Sequence, residues 1–283
     1  MKISVITVNY NDAAGLKKTL DSVAAQKVKP YEMIVIDGAS SDDSVQVIQD
    51  GSSIITFWSS EPDAGIYNAM NKGVAQAHGD RCLFLNSGDS FCDESVIEKL
   101  SNLESDADVI CGNVTILEDT PRVKKAPEEI TLRFLYNESL CHQGALIRTS
   151  LLWKYPYDET LKIVADRKFF LQTLVLDNGS FAAVDINIAD YDIHGVSAKH
   201  RFESQEEWHG VLCDLLPERI MTDYGRDAEG ALYGTTAYER MFLEIGRRRY
   251  RNPVYRIVRG VLAVISLFVP SARFVRLFPR RIR

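Results

Sequence analysis

Strand and helix signals alternate along the first third of the chain, and this order constrains the fold more than any other feature. Ile3-Ser4-Val5-Ile6-Thr7-Val8 is rich in β-branched residues and reads as a buried strand. Asn11 or Asp12 can cap the helix that follows, in which Leu16, Leu20, Val23 and Ala24 share one face. Met33-Ile34-Val35-Ile36 is a second strand ending at Asp37-Gly38, and Ile54 to Trp58 a third after a short helix. Gly65 to His78 predicts an amphipathic helix, with Ile66, Ala69, Met70, Gly73, Val74 and Ala77 recurring at helical spacing. Arg81 to Leu85 is the next strand and stops at Asn86-Ser87-Gly88-Asp89. A β-α-β-α order of this kind predicts an α/β fold with a mainly parallel, doubly wound sheet between helices. Ligands of such sheets bind beyond the carboxyl ends of the strands. Three polar strand ends, Thr7 to Asn11, Asp37 to Ser41 and Asn86 to Asp89, are expected to converge there.

The second half is less regular. Val109 to Leu117, Gly144 to Ile147 and Phe181 to Ile188 read as strands, and Ile163 to Leu176 as a helix with Asp166 in its first turn. Helical segments dominate after Arg201. The expected organisation is a catalytic domain over 1–200, divided near 112, and a helical extension over 201–283.

Charge is distributed unevenly over the 283 residues. The formal total is −6, yet residues 245–283 hold eleven arginines, no lysine and no acid, which leaves −17 on the remainder. Within this basic arm Ile257 to Val269 is apolar apart from Arg259 and Ser266, and shorter than the roughly 18–20 residues a spanning helix needs. Such an arm reads as an interfacial anchor on an anionic leaflet. The competing reading is a C-terminal helix packed on the acidic domain. Nucleic-acid binding is not expected, because no recognised module accompanies the arginines. The N-terminus lacks the pattern of a signal peptide. Five widely spaced cysteines fit a reducing compartment, so the expected location is cytoplasmic, peripheral on the inner face of the plasma membrane.

Taken singly, the polar residues at the strand ends have two readings each. Asp37 can accept the imide N–H of a uracil or the N1–H of a guanine, or it can shape the turn after its strand. Asp89 can hold Mg²⁺ or Mn²⁺ against a diphosphate, or cap a helix. Asp63 fits a helix N-cap, Lys72 a solvated helix face, and Asp166 a carboxylate favoured by the helix dipole. His142 and His194 fit ordinary packed or surface histidines.

The joint order of these residues is more informative. Three blocks, Ile3 to Asn11 with Glu32 to Asp42, Ser60 to Gly73, and Phe84 to Asp89, resemble family 2 glycosyltransferases of the GT-A fold. Weaker matches follow at Cys141-His142-Gln143, Val164-Ala165-Asp166 and His194-Gly195-Val196-Ser197. Among these enzymes the chain most resembles those that build bacterial exopolysaccharide, colanic acid or O-antigen units, the last a part of lipopolysaccharide. The resemblance implies that Thr7, Asn9, Asn11 and Asp37 hold the nucleoside of a UDP- or GDP-sugar. It also implies that Asp63 and Lys72 border the nucleoside diphosphate, and that His142, Gln143 and His194 lie toward the acceptor and diphosphate. Asp89, assisted by His194, would bind Mn²⁺ or Mg²⁺, and Asp166 would be the catalytic base.

The metal motif departs from the family, in which two or three acidic residues are usual; Asn86 and Gly88 stand in two of those places. The Gln-x-x-Arg-Trp motif of processive synthases is absent, so addition of a single sugar is expected. The implied reaction is inverting transfer to a saccharide carried on a lipid diphosphate. The rival readings are a non-catalytic nucleotide-sugar-binding protein and a sugar-phosphate nucleotidyltransferase. The second requires a Gly-rich basic loop where Asn9-Tyr10-Asn11-Asp12 stands.

Overall fold

The computed structural model describes residues 1–118, 120–192 and 201–228. Its first half follows the sequence pattern. Strands β1 (Ile3–Asn9), β2 (Glu32–Asp37) and β4 (Arg81–Phe84) are buried along their whole length, as expected for strands covered on both faces. Strand β3 (Phe57–Ser60) is the exposed edge. All four pair in parallel, with Asn9 opposite Asp37, so their polar ends do meet at one edge of the sheet.

Side chains alternate between the two faces. Val5, Val35 and Leu83 join Leu16, Leu20 and Val23 of α1 (Ala13–Ala24) and Ile48 of α2 (Ser44–Asp50) in one core. Asp12 caps α1 by accepting from the Gly15 amide. Helix α3 (Ile66–Ala75) packs on the opposite face. Its Gly73 lies so close to β1 that a Cβ there would come within 2.5 Å of Ile6 Cγ2. The third strand begins later than the apolar run predicts. Ile54 is drawn into a turn by its bond to the Gly51 carbonyl, and pairing starts only at Phe57.

The second half is mixed in direction. Strand β5 (Ser90–Phe91) and helix α4 (Val96–Ser101) precede the long strand β6 (Val109–Leu117), which turns back on β7 (Arg122–Lys124). Helix α5 (Leu132–Asn137) and a 3₁₀ turn at His142–Gly144 lead to β8 (Ala145–Arg148) and α6 (Thr149–Lys154). Strand β8 lies antiparallel between β4 and β6 and joins the two halves. Helix α7 spans Ala165–Phe170, continues as a π-helical turn at Leu171–Leu176, and leads to β9 (Phe181–Asp192). Two expectations shift here. The helix starts at Ala165 rather than Ile163, because a carboxylate from elsewhere holds the amides of residues 162–164. Strand β9 runs on past Ile188 to Asp192 because it pairs with β6 up to Leu117. The sheet order is β3-β2-β1-β4-β8-β6-β9-β5, with β7 on β6.

The chain divides into two compact units, Met1–Leu215 and Leu216–Arg283. Helix α8 (Arg201–Leu215), expected in the extension, falls in the first unit. In the second unit α9 (Glu218–Ala228) is described. No described helix is long and apolar enough to cross a membrane. His194 and the arginine-rich arm lie outside the described residues.

Candidate active site

The ends of β1 and β2 build the first part of the site. Asp37 is fully buried and accepts four hydrogen bonds. Asn9 Nδ2 (2.7 Å) and Ser40 Oγ donate to Oδ1, while the Ser40 amide (2.9 Å) and Ser60 Oγ (2.6 Å) donate to Oδ2. Burial pushes the Asp37 carboxyl up, but the bonds from Ser40, Ser60 and Asn9 outweigh it and hold the group below the usual carboxylate value. Asn11 closes the same turn: its amide donates to Ser40 Oγ and its Oδ1 accepts from the Ser41 amide. Asn11 and Ala39 both sit in the left-handed region, with φ of 50° and 59°. Asp63 bonds the Gly65 amide and leans over Gly38, where a Cβ would fall 2.7 Å from its Oδ2. Lys72 pairs with Glu61 at 2.9 Å and reaches the Pro62 carbonyl, so it braces the loop that carries Asp63.

Thr7 is fully buried and its hydroxyl donates to the Leu85 carbonyl at 2.6 Å, so its side chain ties β1 to the residue that follows β4. The exposed residue at this strand end is Tyr10, with 68% of its surface accessible and its ring beside Gly38. Sequence reasoning passed over Tyr10, together with Ser40 and Ser60. The Ser-Ser run after Asp37-Gly38 was the available signal for Ser40, since hydroxyls there can close onto the aspartate.

The second part forms where β4, the 3₁₀ turn and the start of α7 meet. Ser87 Oγ donates to Asn9 Oδ1 at 2.7 Å and links the two parts. Next to it, Asn86 Nδ2 lies 3.3 Å from His142 Nε2, and His142 Nδ1 lies 3.1 Å from Asp166 Oδ2. Asp166 Oδ1 accepts from the Arg167 amide at 2.8 Å and lies 3.2 Å from the Tyr67 hydroxyl. Burial would lower the His142 pKa, but the hydrogen bond and charge of Asp166, with the charge of Asp89, reverse that and raise it. Gln143 Nε2 donates to Asp89 Oδ2 at 3.2 Å. Asp89 is buried, and desolvation pushes its carboxyl up to about 6 against the pull of His142, Gln143 and Lys18. Asn86 Oδ1 is buried without a hydrogen-bond partner among the described residues.

Helix α8 holds this part in place. Glu207 accepts from the amides of Lys162, Ile163 and Val164 at 2.6, 2.8 and 2.9 Å. Trp208 donates to the Tyr136 carbonyl, and the Arg167 guanidinium stacks 3.9 Å over its ring. Burial pulls the Arg167 pKa down to about 10, against the attraction of Asp166. No local pattern in the sequence announces these bonds, since they join α8 to distant loops.

Asn9, Asn11 and Asp37 thus come together, as do Asp89, His142, Gln143 and Asp166. The family model described as Glycosyl transferase family 2 matches residues 4–166, which covers both groups. The chain belongs to glycosyltransferase family 2. A Mycobacterium tuberculosis glycosyltransferase of uncharacterised activity is 36% identical over 261 residues, covering 87% of this chain and 98% of its own length. A PGL/p-HBAD biosynthesis glycosyltransferase of Mycobacterium bovis BCG is 29% identical over 59% of this chain and 67% of its own. S. aureus TarS in complex with UDP-GlcNAc shares the fold with TM-score 0.61 and 22% identity, over 75% of this chain and 64% of that one. The mannosyltransferase PcManGT of Pyrobaculum calidifontis, in complex with GDP-Man and Mn²⁺, does so with TM-score 0.58 and 12% identity, over 98% and 83%. This family 2 chain therefore has the GT-A architecture: an α/β sheet, parallel in its first half and mixed in its second, between helices.

Proposed function

We propose that the chain is an inverting glycosyltransferase that moves one sugar from a nucleotide-sugar donor to a saccharide acceptor carried on a lipid diphosphate. One observation carries the reading: two polar groups, Asp37–Asn9 and Asp89–Asp166, stand along the carboxyl-terminal edge of one sheet and are linked through Ser87 and Asn86. Ligands of this class of sheet bind at that edge. The nucleoside would lie on Tyr10 and the turn at Gly38, bordered by Asp63. UDP- and GDP-sugars are the donors to test, since solved structures of TarS and PcManGT hold UDP-GlcNAc and GDP-Man. Surface-glycan assembly is the setting the reading implies, and the mycobacterial relative named for PGL/p-HBAD biosynthesis is consistent with a lipid-borne acceptor.

The side chains present fit a hard divalent cation such as Mn²⁺ or Mg²⁺. Asp89 supplies a carboxylate and Asn86 an orphaned buried carbonyl oxygen, and such cations take oxygen ligands together with substrate phosphates. No group of three His, Cys, Asp or Glu suited to a metal occurs among the described residues, so the donor diphosphate would complete the coordination. When bound, the cation would offset the negative charge that develops on the departing diphosphate.

Asp166 acts as the base. Its carboxylate is held by Arg167 and His142 and takes the proton of the acceptor hydroxyl as that oxygen attacks the anomeric carbon from the face opposite the leaving group. Inversion follows, and an α-linked donor gives a β-linked product. The arginine arm at 245–283 would hold the enzyme at the inner face of the membrane beside its acceptor. Calorimetric titration with UDP-, GDP- and dTDP-sugars, with and without Mn²⁺, tests the donor assignment. Binding of one series is the expected outcome, and binding of none under either condition rejects it.

A further inference from the structure

The half-buried histidine between the two carboxylates, His142, has a role that the transfer scheme leaves open. Its two ring nitrogens meet different chemistry. Nδ1 faces Asp166 Oδ2 at 3.1 Å, and Nε2 faces the side-chain amide of Asn86 at 3.3 Å. An ionised carboxylate only accepts hydrogen bonds, so a neutral His142 must carry its proton on Nδ1 to bond Asp166. Nε2 then has a lone pair and requires a donor, which Asn86 supplies through its NH₂ group. The remaining Asn86 atom, Oδ1, is the one left without a protein partner. Amide and ring are therefore in register: the ring proton has an acceptor in Asp166, the ring lone pair has a donor in Asn86, and the free oxygen is the amide atom that does not bond the ring.

We propose that His142 is a positioning residue that fixes the Asp166 carboxylate through an Nδ1–H bond, and that Asn86 sets the tautomer by donating to Nε2. This rests on the reading of Asp166 as the base. Among the described residues, His142 is the single donor to Asp166 Oδ2. Oδ1 is held separately by the Arg167 amide, and the Tyr67 hydroxyl beside it has a closer acceptor in the Ile163 carbonyl, at 2.6 Å. Without His142 the carboxylate would keep one fixed oxygen and could rotate about it.

The arrangement also accounts for the asparagine at 86, where an acid is usual in the family. A carboxylate there would leave the ring between two acceptors. One proton cannot satisfy both, so the neutral ring would lose its preference for Nδ1–H. An asparagine presents a donor to the ring and keeps one oxygen free.

Nitrogen-15 NMR of the full chain labelled at histidine tests this directly, because protonated and bare ring nitrogens resonate far apart. The resonance of His142 is assigned among the five histidines by its absence from a His142→Gln sample. Because, against burial, Asp166 raises His142 above an ordinary histidine, spectra are read at about pH 9, well above the ordinary value near 6.5, where wild type is expected to show His142 as a single Nδ1–H tautomer. Asn86→Leu removes the donor at similar volume and is expected to move the ring to an average of both tautomers. An Nε2–H tautomer, an averaged ring or a doubly protonated ring in wild type overturns the proposal, and the wild-type spectrum decides even if the variant fails to fold. Failure of the base assignment reads out separately. If Asp166→Asn keeps turnover while His142 remains Nδ1–H, the base role falls and the hydrogen-bond assignment stands.

Discussion

At the residue scale, burial and hydrogen bonding separate two aspartates that look alike in sequence. Asp37 is the last residue of β2, and Asp89 follows the turn after β4. Asp37 receives four donors and is held below the usual carboxylate range, whereas Asp89 has Gln143 and little else, and burial raises it to about 6. A carboxyl raised on folding binds its proton more tightly in the native state. Its contribution to stability is then complete below about pH 4, the unfolded aspartate value, and is lost as pH rises through about 6. Asp89→Asn keeps an acceptor for Gln143 and removes the buried charge. We expect the variant to exceed wild type in thermal midpoint at pH 8, by a free energy of up to about 3 kcal/mol, and to match it near pH 4. The same variant should lose Mn²⁺-dependent nucleotide binding. Equal midpoints of the two proteins across that range would show that Asp89 is not held as a buried charge. The sequence left both readings of each aspartate open, and Thr7 shows why: strand periodicity gives the burial of a hydroxyl, not whether it meets a ligand or a neighbouring carbonyl.

At the scale of elements, the first half was legible because its signals are local. Apolar runs, caps and helical spacing lie within each segment, and the parallel order then brings the polar ends together. The second half depends on partners distant in sequence. The β6–β9 pairing shifts register around Asn113, and the start of α7 is set by Glu207 from α8. Glu207→Ala would free three amides, of which that of Lys162 is exposed and those of Ile163 and Val164 are part-buried, and should loosen this loop before the rest of the fold. Hydrogen exchange should report faster exchange at 162–164 with β1 and β2 unchanged; unaltered protection would show that the loop is ordered without α8. Close packing of α3 on β1 gives a second test. Gly73→Ala adds a methyl 2.5 Å from Ile6 Cγ2, and overpacking of this kind costs about 1–3 kcal/mol, more than alanine gains in helix propensity. A denaturation midpoint at or above wild type would contradict the packing described.

At the scale of the whole molecule, charge separates the acidic bulk of the chain from its basic arm. Eleven arginines without a single acid, beside a short apolar run, form a segment suited to an anionic surface, at about 1 kcal/mol for each basic residue that engages. Full-length protein should co-sediment with vesicles containing anionic lipid, release at high salt, and bind less when the chain is ended at Glu244. Equal binding by both lengths, or none by either, would remove the anchor.

The central claim is that one sheet edge holds a nucleotide sugar against the base Asp166. Its most direct test pairs two measurements on Asp166→Asn: sugar transfer, and calorimetric affinity for the donor with Mn²⁺. The account predicts a loss of transfer of about 10²–10⁴-fold, the range of general base catalysis, with donor affinity close to wild type. Transfer that persists at near wild-type rate, or donor affinity that falls together with it, would contradict the account.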